Sequence, residues 1–287
     1  MTAITTTRPK PARIATATRP RTNRLAALRT LTLRRFALSA RTPREILVPL
    51  LTPILFADVI APALAKTTGA FGGIDYTAFV AIGTVGLLVP LSCILAGVGL
   101  IVDRESGAQR DLLAAPVPRS LLVLGNLIVA VCIASLQVVA LIGAAVLRGS
   151  TFTVSASGLA WFLLATIGIA IAMHSAAEIL AARIPKQEEY VGVAPAVALV
   201  PWFFAGSFFR INAMPAGLTV IAKALPLTHA LALMRYARVD HRAAGLHDIW
   251  GAHSTTMMAA ASLAVVFAFA ALMLFIASRV FARSAMR

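Results

Sequence analysis

Acids and imidazoles are scarce in this chain, 11 Asp and Glu and 5 His among 287 residues, so any that stands among apolar neighbours is a candidate for chemistry. His174 and Glu178 stand four apart, which on a helix puts both on one face, the spacing of a metal pair. No His-Glu-x-x-His motif and no third ligand accompanies them, and an ion pair of Glu178 with Arg183 accounts for the acid more simply. His241, His247 and His253 recur every six residues, a spacing that suits ligands on neither a helix nor a strand. Asp58 is an acid inside an apolar run, by default a functional candidate. Pro62 and Lys66 follow closely, which also fits a carboxylate at the outer membrane interface. Cys93 and Cys132 lie in apolar runs and give no disulfide framework and no metal spacing.

Nucleotide chemistry is excluded more firmly. The four lysines are Lys10, Lys66, Lys186 and Lys223, and none follows a glycine, so no phosphate-cradling loop of the usual kind exists. If ATP drives this protein, a separate subunit hydrolyses it. The charge that matters is instead the island Asp103–Arg119, DRESGAQRDLLAAPVPR, set between two apolar runs. It is too charged to enter lipid and too short for a domain, so it is expected as a short loop or helix at the membrane surface. Glu105, Arg110 and Asp111 supply charge, Leu112 and Leu113 an apolar foot, and Pro116 and Pro118 a helix stop. Such an element suits docking on a moving partner.

The elements that must hold these residues are membrane spans. The chain is 59% apolar and 13% charged, about half the usual charged fraction of a soluble domain, and its mean hydropathy is +0.86. Six runs approach or exceed the about 20 apolar residues of a span: Ile46–Ala65, Thr77–Val102, Leu121–Leu147, Gly158–Ala181, Tyr190–Phe209 and Thr256–Val280. The net charge of +15 falls outside the runs and so follows topology rather than nucleic acid. With both termini inside, 19 of the 26 Lys and Arg fall on the cytoplasmic side, as the positive-inside tendency requires.

Residues 1–20 lack periodicity and are expected to form a disordered basic cytoplasmic tail without a cleaved signal peptide. Residues 21–42 are expected as an amphipathic interfacial helix, with Leu25, Leu28, Leu33 and Phe36 in one sector and Arg24, Arg29, Arg34 and Arg35 around it; the alternative is packing on protein. Residues 43–287 form the six-span domain. Before the last span, Arg210–Thr255 is too apolar for a solvated loop in its first part and is broken by Pro215, Gly217 and Pro226. A short re-entrant helical segment is expected there, with Leu218 and Ile221 in apolar surroundings and Ala243 and Ala244 solvated. Gly83, Gly86, Gly97 and Gly99 are expected as close-packing points. Trp202, Phe203, Phe204, Phe208 and Phe209 either line a hydrophobic path or face lipid.

Two motifs carry a family resemblance. Arg104-Glu105-Ser106-Gly107, followed by Leu112 to Arg119 and then Gly125 and Leu127, resembles the loop between spans two and three of type-2 ABC transporter permeases. The run Phe203 to Phe209, Met214-Pro215, Ile221-Ala222, Leu225 to Ala230 and Arg235 is similar to the family's Ser-Gly, Leu-Pro and Pro-Leu-Thr-Tyr-Ala elements. Ala108, Arg110, Asn126, Arg210 and His229 depart from the common residues. Daunorubicin-resistance permeases and nodulation-type lipo-oligosaccharide exporters are the subfamilies resembled.

The resemblance implies an all-α integral membrane protein with a cytoplasmic coupling helix between spans two and three. It implies the non-enzymatic permease subunit of an ATP-driven exporter of drugs, lipids or glycolipids in the plasma membrane. Its partners would be two ATPase subunits, which bind the ATP and Mg, a second permease, identical or paralogous, and membrane lipids, with no nucleic acid and no cofactor in this chain. It assigns coupling to Arg104, Glu105, Gly107, Arg110, Leu112, Leu113 and Pro116. It assigns an outer gate to Phe203, Phe204, Gly206, Phe208, Pro215, Pro226, His229 and Arg235. The rival classes are an intramembrane enzyme, whose candidates Asp58, His174 and Glu178 fall at different depths, and a sensor or scaffold subunit.

Overall fold

The computed structural model describes residues 23–43 and 75–284, apart from 116, 148, 154 and 241, with only a few positions between 44 and 74. The expected tail, the span Ile46–Ala65, Asp58 and Pro116 therefore lie outside the described residues or on a few scattered positions. Every described element is helical. They are α1 (Arg24–Arg41), α2 (Tyr76–Leu95), α3 (Val98–Glu105), α4 (Ala108–Ala114), α5 (Arg119–Leu147), α6 (Ala156–Ala181), α7 (Gln187–Phe204), α8 (Ala216–Ala224), α9 (Pro226–Arg238), α10 (Ala244–Trp250) and α11 (Thr255–Ser284), with a 3-10 turn at Ile211–Ala213 before α8.

Among the described residues, four stretches are long and apolar enough to cross a membrane: Tyr76–Glu105, Ser120–Leu147, Ala156–Ala181 and Thr255–Val280. These match four of the expected spans to within a few residues. The first joins α2 and α3 across the Ala96-Gly97 turn, and its 30 residues reach about 45 Å at 1.5 Å per residue, well beyond the hydrocarbon core. The fifth count is the pair α8 and α9, which passes only if taken together and is bent by 83° at Leu225. Leu225 is extended, the conformation forced on a residue that precedes proline, and Pro226 starts the new helix at a position that needs no N–H.

The expected span Tyr190–Phe209 is realised differently. The helix starts earlier, at Gln187, with Glu188 and Glu189 in its first turn, and stops at Phe204. Gly206, at φ +77, turns the chain back there, so the apolar run continues after the helix has ended. The helix is less apolar than the four stretches above, yet it runs along α2 from Ile94, which Tyr190 bonds, to Gly83, which Trp202 bonds.

Helix α2 is the centre, buried along nearly its whole length and packed by α5, α6, α7 and α9, while α11 lies along α6. Glycine allows these approaches. A side chain at Gly83 would meet the Ser207 carbonyl, one at Gly86 the Leu231 side chain, and one at Gly97 the Tyr190 hydroxyl. The freed space is used for polar contacts. Trp202 Nε1 donates to Gly83 O at 2.7 Å and the Tyr190 hydroxyl donates to Ile94 O at 2.6 Å. Deeper along the bundle Ser92 and Gln137 bond to each other between α2 and α5.

Candidate functional site

The two motif regions occupy opposite ends of the α2–α3 rod. Tyr76, at its start, donates to Phe208 O at 3.0 Å, whereas the island begins at its far end. There α3 stops at Glu105, Ser106-Gly107 makes the turn, and α4 runs back. Gly107 has φ +80 with open space around it, so the backbone conformation, not crowding, requires glycine.

Arg104 is tied inward. Its guanidinium donates to Ala181 O and Ile184 O at 2.8 Å and to Pro185 O at 2.9 Å. These carbonyls end α6 and the turn after it, where a cation is favoured by the helix dipole. The turn is thereby clipped to α6. Glu105, Arg110 and Asp111 point to the exterior, while Leu112 and Leu113 are half-buried.

Helix α1 closes the third side. Asn23 caps it by accepting from Leu25 N at 3.1 Å. Arg34 bonds Asp103 at 3.0 Å, and Arg35, 3.8 Å from the same carboxylate, donates to Ala96 O at 3.2 Å. Arg35 and Ser39 are buried, whereas Leu25, Leu33 and Phe36 stay exposed. The inward face thus carries Arg35 and Ser39 beside Leu31, and Leu25, Leu33 and Phe36 of the leucine sector point away from the bundle. Between α1, α3, α4, α5 and α6 lies a cavity of 360 Å³ that includes Glu178 in its wall.

At the other end the aromatic segment packs on α2. Trp202 is fully buried and meets Phe203 and Phe208 edge-on, with ring centres 4.9 and 5.0 Å apart, whereas Phe203 and Phe209 are exposed. Arg235 is buried. It donates to Gly206 O at 2.8 Å and Ser207 O at 2.7 Å, with its guanidinium 3.5 Å from the centre of the Phe79 ring. It thus pins the turn that ends α7.

His229 faces Lys223 O at 3.0 Å through Nε2 and Ser262 Oγ at 3.2 Å through Nδ1. A carbonyl only accepts, so Nε2 carries the proton and Nδ1 of the neutral ring accepts from the Ser262 hydroxyl. Ser262 in turn accepts from Trp250 Nε1 at 2.8 Å, which completes a chain across α8, α9, α10 and α11.

Arg210 forks onto Asp248, Nε to Oδ2 at 2.7 Å and Nη2 to Oδ1 at 2.5 Å, and Asn212 adds a 2.8 Å bond to the same acid. The Asp248 hydrogen bond raises the pKa of Arg210, against partial burial, which lowers it. Pro215 is exposed and Pro226 half-buried.

A family model described as ABC-2 type transporter matches residues 26–238. The chain belongs to the ABC-2 type transporter family. The matched stretch runs from α1 to the end of α9, so both motif regions fall inside it. A search of curated proteins returned no match. The family places this chain among transport membrane subunits that work with an ABC ATPase, and the apolar helices make it a multi-pass membrane protein.

His174 Nε2 lies 3.5 Å from Glu178 Oε1, both buried, so the acid's nearest basic group is the imidazole and not Arg183. His247 and His253 are exposed, and the described residues hold no group of three that could bind a metal. Ala243, expected in a solvated loop, is 1% exposed with φ +53, because it starts α10 against the bundle. Ile221, expected in apolar surroundings, is 51% exposed on this chain, so any such surroundings come from lipid or another subunit. No spacing pointed to the partners of Asp248, Ser262, Tyr190 or Arg35, which lie far along the chain.

Proposed function

We propose that this ABC-2 type permease is one of two, identical or paralogous, that pair with two ATPase subunits and export a hydrophobic or amphipathic compound, a drug, lipid or glycolipid. It resides in the plasma membrane with six spans, the first formed around Ile46–Ala65, and both termini in the cytoplasm. ATP and Mg sit on the ATPases.

The observation that carries this reading is the helix-turn-helix at Val98–Ala114. Its inner side is fastened through Arg104 to α6 and through Asp103 to α1, while Glu105, Arg110 and Asp111 are exposed. A push on the exposed face is delivered directly to α6 and α1. Gly107 allows the turn, and Leu112 and Leu113 seat α4. Nucleotide-driven closure of the ATPases moves this element and α1, tilts the spans and opens the seam between permeases outward. The substrate leaves past Phe203, Phe204 and Phe208, where Arg235, Gly206, His229, Pro215 and Pro226 shape the exit.

The test is reconstitution with the partner ABC ATPase and a screen for compounds that stimulate hydrolysis and accumulate across the membrane. Stimulation by apolar or amphipathic compounds, with transport, is the expected result. Hydrolysis that no compound alters, with no transport, would favour a sensor or scaffold subunit.

A further inference from the structure

We propose that the cavity between α1, α3, α4, α5 and α6 binds an organic cation, an ammonium group on an apolar body, with Glu178 as its counter-ion. The wall contains five charged side chains, and three are already satisfied by the protein. Asp103 is held by Arg34 and Arg35, Arg34 by Asp103, and Arg104 by three carbonyls. Arg110 faces the exterior.

Glu178 differs from all of these. Its side chain is 3% exposed, and its Oε1 is buried with no hydrogen-bond partner. His174 Nε2, at 3.5 Å on the same helix, is beyond hydrogen-bond reach, and both nitrogens of that ring also lack partners. A carboxylate withdrawn from water without donors is costly. An ammonium brings up to three N–H donors and the opposite charge.

The rest of the wall selects the body of the ligand. Leu31, Leu100, Leu112, Leu113, Leu122 and Val123 line it, and 360 Å³ falls at the small end of ligand pockets, roughly 300–1,000 Å³. Arg104 spends three of its five N–H donors on carbonyls, and each arginine of the wall is more exposed than Glu178, so an anion finds no cation of comparable burial there. The site binds its cation whether or not the chain exports it; as a loading position for export it would rest on the function proposed above.

The test reads binding alone. Gln109, in the cavity wall, is replaced by cysteine in the full chain carrying Cys132→Ala, Cys93 being buried. The rate of maleimide labelling is measured in open membranes with octylammonium or octanoate, which share a chain length and differ in charge. Octylammonium is expected to slow labelling about tenfold, the factor that about 1.4 kcal/mol gives, and octanoate to leave it nearly unchanged. Glu178→Gln, which keeps the shape, is expected to remove the protection without changing the ligand-free rate. Equal protection by octanoate, or full protection in Glu178→Gln, overturns the proposal. If Glu178→Gln fails to insert, the contrast between the two compounds decides on its own. Absence of an ATPase partner leaves this readout untouched, so failure of the transport function is seen separately.

Discussion

The guanidinium of Arg35 fills the space that a side chain at Gly99 would need. Arg35 comes from α1 and Gly99 from the first turn of α3, so one glycine decides whether the N-terminal helix can reach the bundle. From there Arg35 donates to the Ala96 carbonyl and, with Arg34, holds Asp103.

Gly99→Ala is therefore expected to displace α1, at a cost of about 1–3 kcal/mol for overpacking. Thermal unfolding of the purified chain should fall for Gly99→Ala. It should recover in part when Arg35→Ala is added, because the clash is then gone. Additive losses would place Arg35 elsewhere.

Arg104 gives a second prediction. Removing it leaves the carbonyls of Ala181, Ile184 and Pro185 without their donor, and hydrogen bonds to a charged group contribute about 1.5–3 kcal/mol. Arg104→Ala should lower the unfolding temperature, and Arg104→Lys should restore only part of it, since a compact ammonium lacks the spread of the planar guanidinium. A lysine variant as stable as the parent would mean that the fork contributes nothing.

At the far end, Arg210 and Asp248 hold the segment after α7 to α10. Charge reversal at either position alone should weaken the pair, and the swap Arg210→Asp with Asp248→Arg should regain some stability. The coupling read from a double-mutant cycle is expected to lie between about 0.5 and 3 kcal/mol. A value of zero would make the fork incidental.

The sequence was legible where physics is local. Uninterrupted apolar runs marked Tyr76–Glu105, Ser120–Leu147, Ala156–Ala181 and Thr255–Val280, and Pro226 marked the bend between α8 and α9. The end of α7 was not legible, because the apolar run continues past Gly206 while a positive φ stops the helix. Arg104 stood in the coupling motif by resemblance, and its bonds to backbone carbonyls some 80 positions away are ones that no spacing rule reveals. Arg210, a departure from the common family residue, turned out to answer Asp248. The four spaced glycines were read correctly as packing points, since small residues among apolar ones have few other uses in a membrane helix.

Orientation gives a further prediction. Ser106 and His253 are both exposed and lie at opposite ends of the bundle. Single cysteines at these sites, in a chain free of native cysteine, are expected to react with impermeant maleimide from opposite sides, Ser106→Cys from the cytoplasm. Reaction of both from one side would contradict the proposed topology.

The central claim is that an ATPase grips the exposed face of the Val98–Ala114 element, and one measurement tests it most directly: nucleotide hydrolysis that co-purifies with the tagged chain from its native membrane, for the parent and for Glu105→Arg. The parent is expected to bring down an ATPase with measurable hydrolysis. Glu105→Arg should insert at the same level and lose it, because truncating or reversing one partner of a buried charge pair costs about 2–5 kcal/mol. An unchanged yield of ATPase and hydrolysis with Glu105→Arg, or no ATPase with the parent, would contradict the account.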